Sequence, residues 1–206
     1  MGTKRTYVVL LLLIVGVACL QFQCNKSLDC ANNRYGFEIG IKAYPDKDSV
    51  KVGDTLWLEM NEPTTLKDGG TGNMVDYSGA ANLGSVISFH RLSPANEFTE
   101  PSAGKFKMLL IEGRQVESID STWERQYLFA ELDQFYVFKI GIISKDTGIF
   151  RLIFSNAANI YRNSDRCTKA AFSINFKNTD QHYHLNPFYT GDTSIVGGDY
   201  YFRVYE

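Results

Sequence analysis

Residues 50–58 read VKVGDTLWL, and this stretch decides the fold class because its apolar side chains recur at every second position. The two valines precede Gly53-Asp54, and the two leucines follow it. Successive side chains of a strand point to opposite faces, so this alternation is typical of strands with one buried face. Gly and Asp are frequent in turns. The stretch therefore predicts extended structure, with Val50, Val52 and Leu56 on one face and a bend at Gly53-Asp54.

The same alternation recurs in further segments after Tyr35, which are rich in β-branched and aromatic residues. Clusters of Gly, Pro, Asn and Asp bound these segments, and no long stretch shows the 3.6-residue stripe of a helix. Many short strands separated by turns are typical of antiparallel sandwiches or barrels. We therefore predict an all-β, antiparallel sandwich or barrel with strands within residues 37–43, 50–60, 86–92, 106–110, 127–130, 136–142, 150–154, 170–176 and 200–204.

Two stretches lack the alternation and are predicted to be long irregular loops. Residues 61–84 contain Pro63 and the Asp68-Gly69-Gly70 cluster, and residues 93–104 contain two further prolines. Long loops in a compact domain are often functional.

The N-terminus has the plan of a secretory signal. Lys4 and Arg5 precede residues 8–17, a run that carries no charged or hydrogen-bonding side chain. A membrane-spanning helix needs about 20 apolar residues, so this run is short for a permanent span. We predict that residues 1–18 are a cleaved signal peptide and that the protein is exported.

The end of the apolar run, Val17-Ala18-Cys19, resembles the lipobox of bacterial lipoproteins, in which a small residue precedes the lipidated cysteine. Gly16 departs from that pattern, and together with Ala18 it satisfies the small-x-small rule of ordinary signal cleavage. The resemblance implies a lipid on Cys19, with residues 19–34 as lipid-attachment cysteine and tether and residues 35–206 as one domain. Soluble secretion to the periplasm or beyond and an uncleaved anchor are the alternatives.

Export also places the other cysteines where disulfides persist. Cys30 and Cys167 each lie just before a predicted strand, and we expect them to form a disulfide, with Cys24 in the tether. The alternative is that all three are free thiols. No C-x-x-C pair is present, which argues against a cysteine zinc site.

Two local patterns resemble bacterial immunoglobulin-like domains. Residues 50–58 match the entry pattern V-x-V-G-D-x-L-x-L of those domains, and Asp146-Thr147-Gly148 begins a match to their D-x-G-x-Y corner. Phe150 stands where the corner has Tyr, and Phe lacks the hydroxyl that bonds back to the main chain there. The layout from signal to last strand also resembles small uncharacterised lipoproteins of Bacteroidetes. These resemblances imply an immunoglobulin-like β-sandwich and no activity.

The charge balance excludes one class of partner. The chain has a net charge of −2, and loss of Lys4 and Arg5 with the signal peptide makes it −4. Nucleic-acid surfaces need clustered Lys and Arg, so no nucleic-acid partner is expected.

His182-Tyr183-His184 is the most distinctive chemical feature. On a strand both imidazoles would point the same way and could reach one metal, with His90 as a third ligand. Two surface histidines are the commoner explanation, so we predict no metal and no cofactor. His182 and His184 remain candidate ligand-binding residues.

Trp57 is the second candidate for ligand binding. Its parity is opposite to that of Leu56 and Leu58, so we expect it to face outward. An exposed Trp can stack on a sugar ring or anchor a protein partner. Burial under a second sheet or a loop is the alternative.

No catalytic motif is present. The nucleophile elbow G-x-S-x-G and the phosphate-binding glycine patterns are absent. We therefore expect a non-catalytic cell-envelope lipoprotein, a binding or assembly module held at the membrane by its lipid, with an envelope protein or glycan as partner. An envelope glycan hydrolase is the alternative, because its paired carboxylates meet only in space.

Cys19→Ser tests the anchor. We expect the variant to leave the membrane fraction or to remain unprocessed, because the thiol that receives the lipid is missing. Fractionation and mass spectrometry measure this, with Cys24→Ser as the control. Unchanged mass and membrane association of the Cys19 variant would contradict the lipoprotein prediction.

Overall fold

The structure, a computed structural model, describes residues 34–93, 99–116, 121–189, 191 and 198–206. Within these ranges the chain forms strands and two short 3-10 turns, without an α-helix, which confirms the predicted all-β class. The strands are β1 (Arg34–Tyr44), β2 (Ser49–Lys51), β3 (Thr55–Pro63), β4 (Thr65–Lys67), β5 (Met74–Asp76), β6 (Gly84–Leu92), β7 (Thr99–Pro101), β8 (Phe106–Glu112), β9 (Arg114–Gln115), β10 (Glu124–Leu128), β11 (Ala130–Leu132), β12 (Phe135–Ser144), β13 (Gly148–Phe154), β14 (Ala157–Arg162), β15 (Asp165–Phe176) and β16 (Gly198–Tyr205).

The strands form two curled sheets in a sandwich-like arrangement, as predicted. The first sheet has the order β11-β12-β3-β1-β15-β14, and β8 also pairs with β12. The second has the order β2-β16-β13-β6-β10-β9, and β7 also pairs with β6. A small third sheet consists of β4 and β5. The immunoglobulin-like topology stays a prediction.

The chain crosses from the second sheet to the first at the predicted bend. β2 pairs with β16 in the second sheet, and β3 pairs with β1 and β12 in the first. Gly53 adopts a φ of +88°, which side chains with a Cβ rarely tolerate, and the Asp54 carboxylate accepts a hydrogen bond from Lys51 N. The crossing breaks the alternation, so the expectation that Val52 shares the buried face of Val50 is wrong. Val52 is 41% exposed.

The pairing of β2 with β16 is parallel, which departs from the predicted purely antiparallel sandwich. A parallel pair needs a long connection between its strands. Here almost the whole domain separates the two, since β2 lies near its start and β16 at its end.

Aromatic side chains join the two sheets. Phe154 of the second sheet contacts Phe138 and Phe176 of the first, with ring centroids 6.4 and 5.7 Å apart. Phe150, at the position of the corner Tyr, is fully buried and packs 4.9 Å from Phe106 across the interface. Phe150 therefore fills the core in place of a hydroxyl-mediated corner.

Residues 61–84, predicted to be irregular, contain ordered strand structure. β3 continues to Pro63, and β4 pairs with β5. Strand β14, which was not predicted, runs beside this segment and bonds to it through Ala81 N and Tyr161 O at 2.7 Å. These elements depend on each other rather than on local alternation, which is why the pattern missed them.

Tyr77 fixes this segment to the sandwich. Its side chain is fully buried, and its hydroxyl lies 2.8 Å from the carbonyl oxygen of Ile160 and 3.0 Å from that of Thr168. Burial raises the pKa of Tyr77 to about 12, so the hydroxyl remains a donor. The Tyr136 hydroxyl in turn donates to the Tyr77 carbonyl.

Tyr77→Phe tests this attachment. We expect a loss of about 1–2 kcal/mol in the free energy of unfolding, because two buried carbonyl oxygens lose their shared donor. Urea unfolding at neutral pH measures the change. Tyr205→Phe, at a 44%-exposed position, is the control with little expected effect. Equal destabilisation by both substitutions would contradict the role of the Tyr77 hydroxyl.

Candidate functional site

Trp57 lies on the outer face of the first sheet, as its parity indicates. Its neighbours Leu56 and Leu58 are buried in the core, whereas the indole is only partly buried. The strand register places it in a row with Tyr44 on β1, Gly141 on β12 and Leu109 on β8. These four positions therefore share one face, across four neighbouring strands.

Gly141 makes room for the indole. A Cβ on Gly141 would lie 3.0 Å from Trp57 Cζ3 and 3.2 Å from Cη2, closer than ordinary contact. The benzene ring of Trp57 therefore occupies the space above Gly141. Because no side chain stands there, the indole extends along the sheet towards β8 instead of standing upright.

Tyr44, Trp57 and Lys139 form what we call the aromatic platform. The Tyr44 and Trp57 rings have centroids 6.4 Å apart and planes that differ by 18°. Lys139 Nζ lies 5.7 Å from each ring centroid and 3.7 Å from Glu59 Oε2. The hydrogen bond to the Tyr44 hydroxyl is the main cause that raises the pKa of Lys139. The two rings are thus nearly parallel, and one ammonium group lies close to both.

A second feature, the polar cleft, opens beside the platform. Residues 42–44 of β1 pair with residues 57–59 of β3. Nearer the start of β1, the backbone N–H of Gly40 donates a hydrogen bond to Glu62 Oε1 at 2.9 Å. The cleft has a volume of about 430 Å³. Its lining is polar and of both charges, and consists of Gly40, Lys42, Glu59, Asn61, Glu62, Lys177 and Asn178.

Lys177 separates the polar cleft from a third feature, the glycine-lined cleft. Its Nζ lies 3.9 Å from carboxylate oxygens of Glu38 and Glu62, and its Cδ lies 2.5 Å from where a Cβ on Gly40 would be. The glycine-lined cleft has a volume of about 600 Å³. Its lining comprises Gly36, Phe37, Glu38, Lys67, Gly69, Gly70, Ala171, Ser173, Asn175 and Lys177.

Asp68 fixes the loop that forms one wall of the glycine-lined cleft. Its carboxylate accepts hydrogen bonds from Gly36 N, Thr71 N and the Thr71 hydroxyl at 2.7–2.9 Å. Gly69 N donates to the Gly36 carbonyl at 2.7 Å. The Gly36 N–H is the main cause that lowers the pKa of Asp68 to about 2. The charged carboxylate thus attaches the loop to β1.

His182 and His184 belong to a turn and not to a strand. His184 lies in a 3-10 turn, Tyr183–Leu185, and His182 precedes it with a left-handed φ of +52°. Their ring centroids lie 6.0 Å apart and their ring planes differ by 81°. His182 is only 5% exposed, whereas the His184 side chain is 61% exposed. Residues two apart point to the same face only on a strand, so this rule does not apply to the turn.

Aspartates surround this histidine turn. His182 lies 3.6 Å from Asp46 and 3.5 Å from Asp180, and His184 Nε2 lies 3.3 Å from Asp48. The Ser49 hydroxyl, with a smaller contribution from His184, lowers the pKa of Asp48. In the described part of the chain no set of three or more His, Cys, Asp or Glu side chains is arranged to hold a metal.

His90, the third candidate metal ligand, lies elsewhere. It is on β6 of the second sheet, 3.1 Å from the Thr99 hydroxyl, and its ring packs 5.2 Å from that of Trp123. Burial lowers the pKa of His90. The side-chain contacts of His90 are thus with Thr99 and Trp123.

Three of the four cysteines are not among the residues that the structure describes. Cys19, Cys24 and Cys30 lie outside the described residues, while Cys167 is partly buried near the start of β15. The lipid on Cys19 and the bond between Cys30 and Cys167 stay predictions. No helix in the described ranges is long and apolar enough to cross a bilayer.

The sequence alone did not predict which side chains lie beside Trp57. Tyr44, Lys139 and Gly141 each occupy outward strand positions, which parity alone identifies. The pairing of β3 with both β1 and β12 brings them together, and the local pattern does not specify that pairing.

Comparison with protein-family models, curated proteins and solved structures found no match to the chain. The function proposed below therefore rests on the residues of this chain.

Asp68→Asn tests the wall of the glycine-lined cleft through pH dependence. The carboxylate has a pKa of about 2 in the folded protein and about 3.9 in an unfolded chain, so its stabilising effect is complete above pH ~4. It is lost as the pH falls from about 4 to about 2. We expect the Asp68→Asn variant to have a lower urea midpoint at pH 7 and a flatter fall in stability over that range.

Urea unfolding at a series of pH values, followed by Trp fluorescence, provides the measurement. Asp133→Asn, at an exposed position in the turn between β11 and β12, is the control. If Asp68→Asn and the wild type lost stability in parallel between pH 4 and pH 2, the carboxylate would not hold this loop.

Proposed function

We propose that the protein is a non-catalytic binding module of the bacterial cell envelope that binds glycan on the outer face of its first sheet. The observation that carries the proposal is the aromatic platform of Tyr44, Trp57 and Lys139 directly beside the polar cleft. Export and a lipid on Cys19 belong to the same proposal and are supported by the signal-like N-terminus. The Cys30–Cys167 disulfide and the immunoglobulin-like topology are likewise part of it.

The chemistry of a sugar fits both parts of this surface. One face of a pyranose ring presents C–H groups, and its rim presents hydroxyls. The parallel rings of Tyr44 and Trp57 offer apolar area to the C–H face. In the adjoining cleft Lys42 and Asn61 supply donors, and Glu59 supplies acceptors. Few precisely placed polar groups beside an apolar surface are typical of small-ligand sites.

Lys139 lies over both rings, and a sugar ring that stacks on them has to displace it. Its ammonium group lies above both rings, but the ion pair with Glu59 is 3.7 Å long and both side chains are about one-third exposed. Exposed ion pairs contribute little, and a lysine side chain has four rotatable carbon–carbon bonds in its stem. A sugar ring that displaces the ammonium also breaks its hydrogen bond to the Tyr44 hydroxyl, and the ammonium can then donate to a hydroxyl of the sugar instead.

One observation favours the alternative, a glycan hydrolase. Glu59 and Glu62 both line the polar cleft, and glycoside hydrolysis uses two carboxyl groups across one bond. That reaction also needs a proton donor. Glu59 instead pairs with Lys139, and Glu62 pairs with Lys177 while accepting the Gly40 N–H. These contacts give both carboxylates structural partners, which favours the binding module.

Trp57→Ala in the mature protein tests the proposal. We expect it to weaken binding to neutral soluble polysaccharides by about 10-fold or more, as removal of a central aromatic anchor commonly does. Isothermal titration calorimetry measures the affinity. Trp123→Ala, which removes the other Trp at a 40%-exposed site just before β10, is the matched control and should bind normally.

Two results would contradict the proposal. The first is equal binding by the Trp57 and Trp123 variants, or no polysaccharide binding by the wild type. The second is release of reducing ends that stops in Glu59→Gln or Glu62→Gln, which would establish the hydrolase instead.

A further inference from the structure

The aromatic platform and the two clefts lie in one line along β1. Gly36, Gly40 and Tyr44 share the outward parity of this strand, while the intervening Phe37, Ile39, Ile41 and Ala43 are buried. Tyr44 belongs to the platform, Gly40 lines the polar cleft, and Gly36 lines the glycine-lined cleft. At about 3.3 Å per residue, the distance from Gly36 to Tyr44 is about 26 Å, which is several sugar rings.

Glycines and longer outward side chains alternate along this line beyond the platform. Gly36 and Gly40 of β1 share their parity with the exposed Glu38 and Lys42, and the Lys177 stem covers Gly40. Ala171 and Ser173, both exposed, face outward on the neighbouring strand β15. The loop at Gly69-Gly70, held to β1 by Asp68, also lines the glycine-lined cleft. We call this line of two clefts the trough.

Lys177 is the one side chain that lines both clefts in the described surface, and it is weakly held. Both of its ion pairs, to Glu38 and Glu62, are 3.9 Å long, and its side chain is 38% exposed. Such pairs contribute little to stability, so displacement of the ammonium group costs little. A ligand that displaces both the ammonium group and the stem above Gly40 would pass from one cleft into the other.

The charges of the trough are close to balance. The clefts and platform carry the lysines Lys42, Lys67, Lys139 and Lys177 and the glutamates Glu38, Glu59 and Glu62, four positive charges against three negative. Surfaces that bind polyanions concentrate positive charge. The alternation of both signs instead suits hydroxyl groups, which donate and accept hydrogen bonds.

From these observations we infer that the ligand is a linear, neutral glycan that lies lengthwise along β1, from the aromatic platform through the polar cleft into the glycine-lined cleft. This inference rests on the proposed function and adds the ligand class. The site recognises a run of several sugars within a chain rather than a single terminal sugar. The platform holds one ring, and the trough holds those that follow it.

A chain-length series tests the inference. The probes are α-1,4-linked and β-1,4-linked glucose oligomers, from the monosaccharide to the hexasaccharide, titrated into the full mature protein. We expect the affinity for at least one series to rise with length. Ser173→Tyr places bulk on the floor of the glycine-lined cleft and should weaken hexasaccharide binding about 10-fold, while binding of the disaccharide stays unchanged.

Controls separate blocking from misfolding. Tyr is favourable on an exposed strand position, and Ala171→Tyr is a second blocking variant on the same face. Ser88→Tyr, on β6 of the second sheet, adds the same bulk elsewhere and should bind all lengths normally. Urea midpoints confirm that each variant is folded.

The two proposals fail in different ways. Affinity independent of length, or a hexasaccharide affinity that both blocking variants leave unchanged, overturns the lengthwise ligand alone. Tighter binding of a uronic-acid polymer than of every neutral oligomer overturns its neutral character. Binding that Trp57→Ala does not weaken, or no binding of any oligomer, overturns the glycan site itself.

Discussion

The packing of aromatic side chains between the two sheets is the constraint on which the rest of the structure depends. Phe154 contacts Phe138 and Phe176 across the interface, and each of these rings fixes which face of its strand is buried. A one-residue slip would turn every side chain of a strand to the other face. The row of Tyr44, Trp57 and Gly141 on the outer face is therefore a consequence of the core, since the same register sets both faces.

The strongly alternating strands could be predicted from the sequence because one buried face is sufficient to produce the pattern. β1 and β15 are such strands. β4, β5 and β14 are not, because contacts such as the Tyr77 hydroxyl with the main chain of β14 define them. Val52 shows the limit of parity, since the crossing at Gly53 directs it to solvent. A local pattern does not indicate where a chain changes sheets.

The candidate site could likewise be predicted only in part from the sequence. The outward direction of Trp57 follows from parity, but its neighbours depend on pairing with β1 and β12, whose residues are distant in sequence. The surroundings of the histidine pair depend on distant residues in the same way: the segment is a turn, and Asp46 and Asp180, distant from each other in sequence, enclose His182. Residue type identified the chemically distinctive positions, and strand pairing decided which of them meet.

Glycine has an unusual role on the outer face. A glycine inside a strand weakens it, because the residue loses more conformational freedom on folding and offers no side chain to pack. At Gly141 and Gly40 the vacant space is occupied by a neighbour, the Trp57 indole in one case and the Lys177 stem in the other. Both long side chains therefore lie along the sheet instead of standing above it. An open surface with aromatic area at one end suits an extended ligand better than a small molecule that needs enclosure.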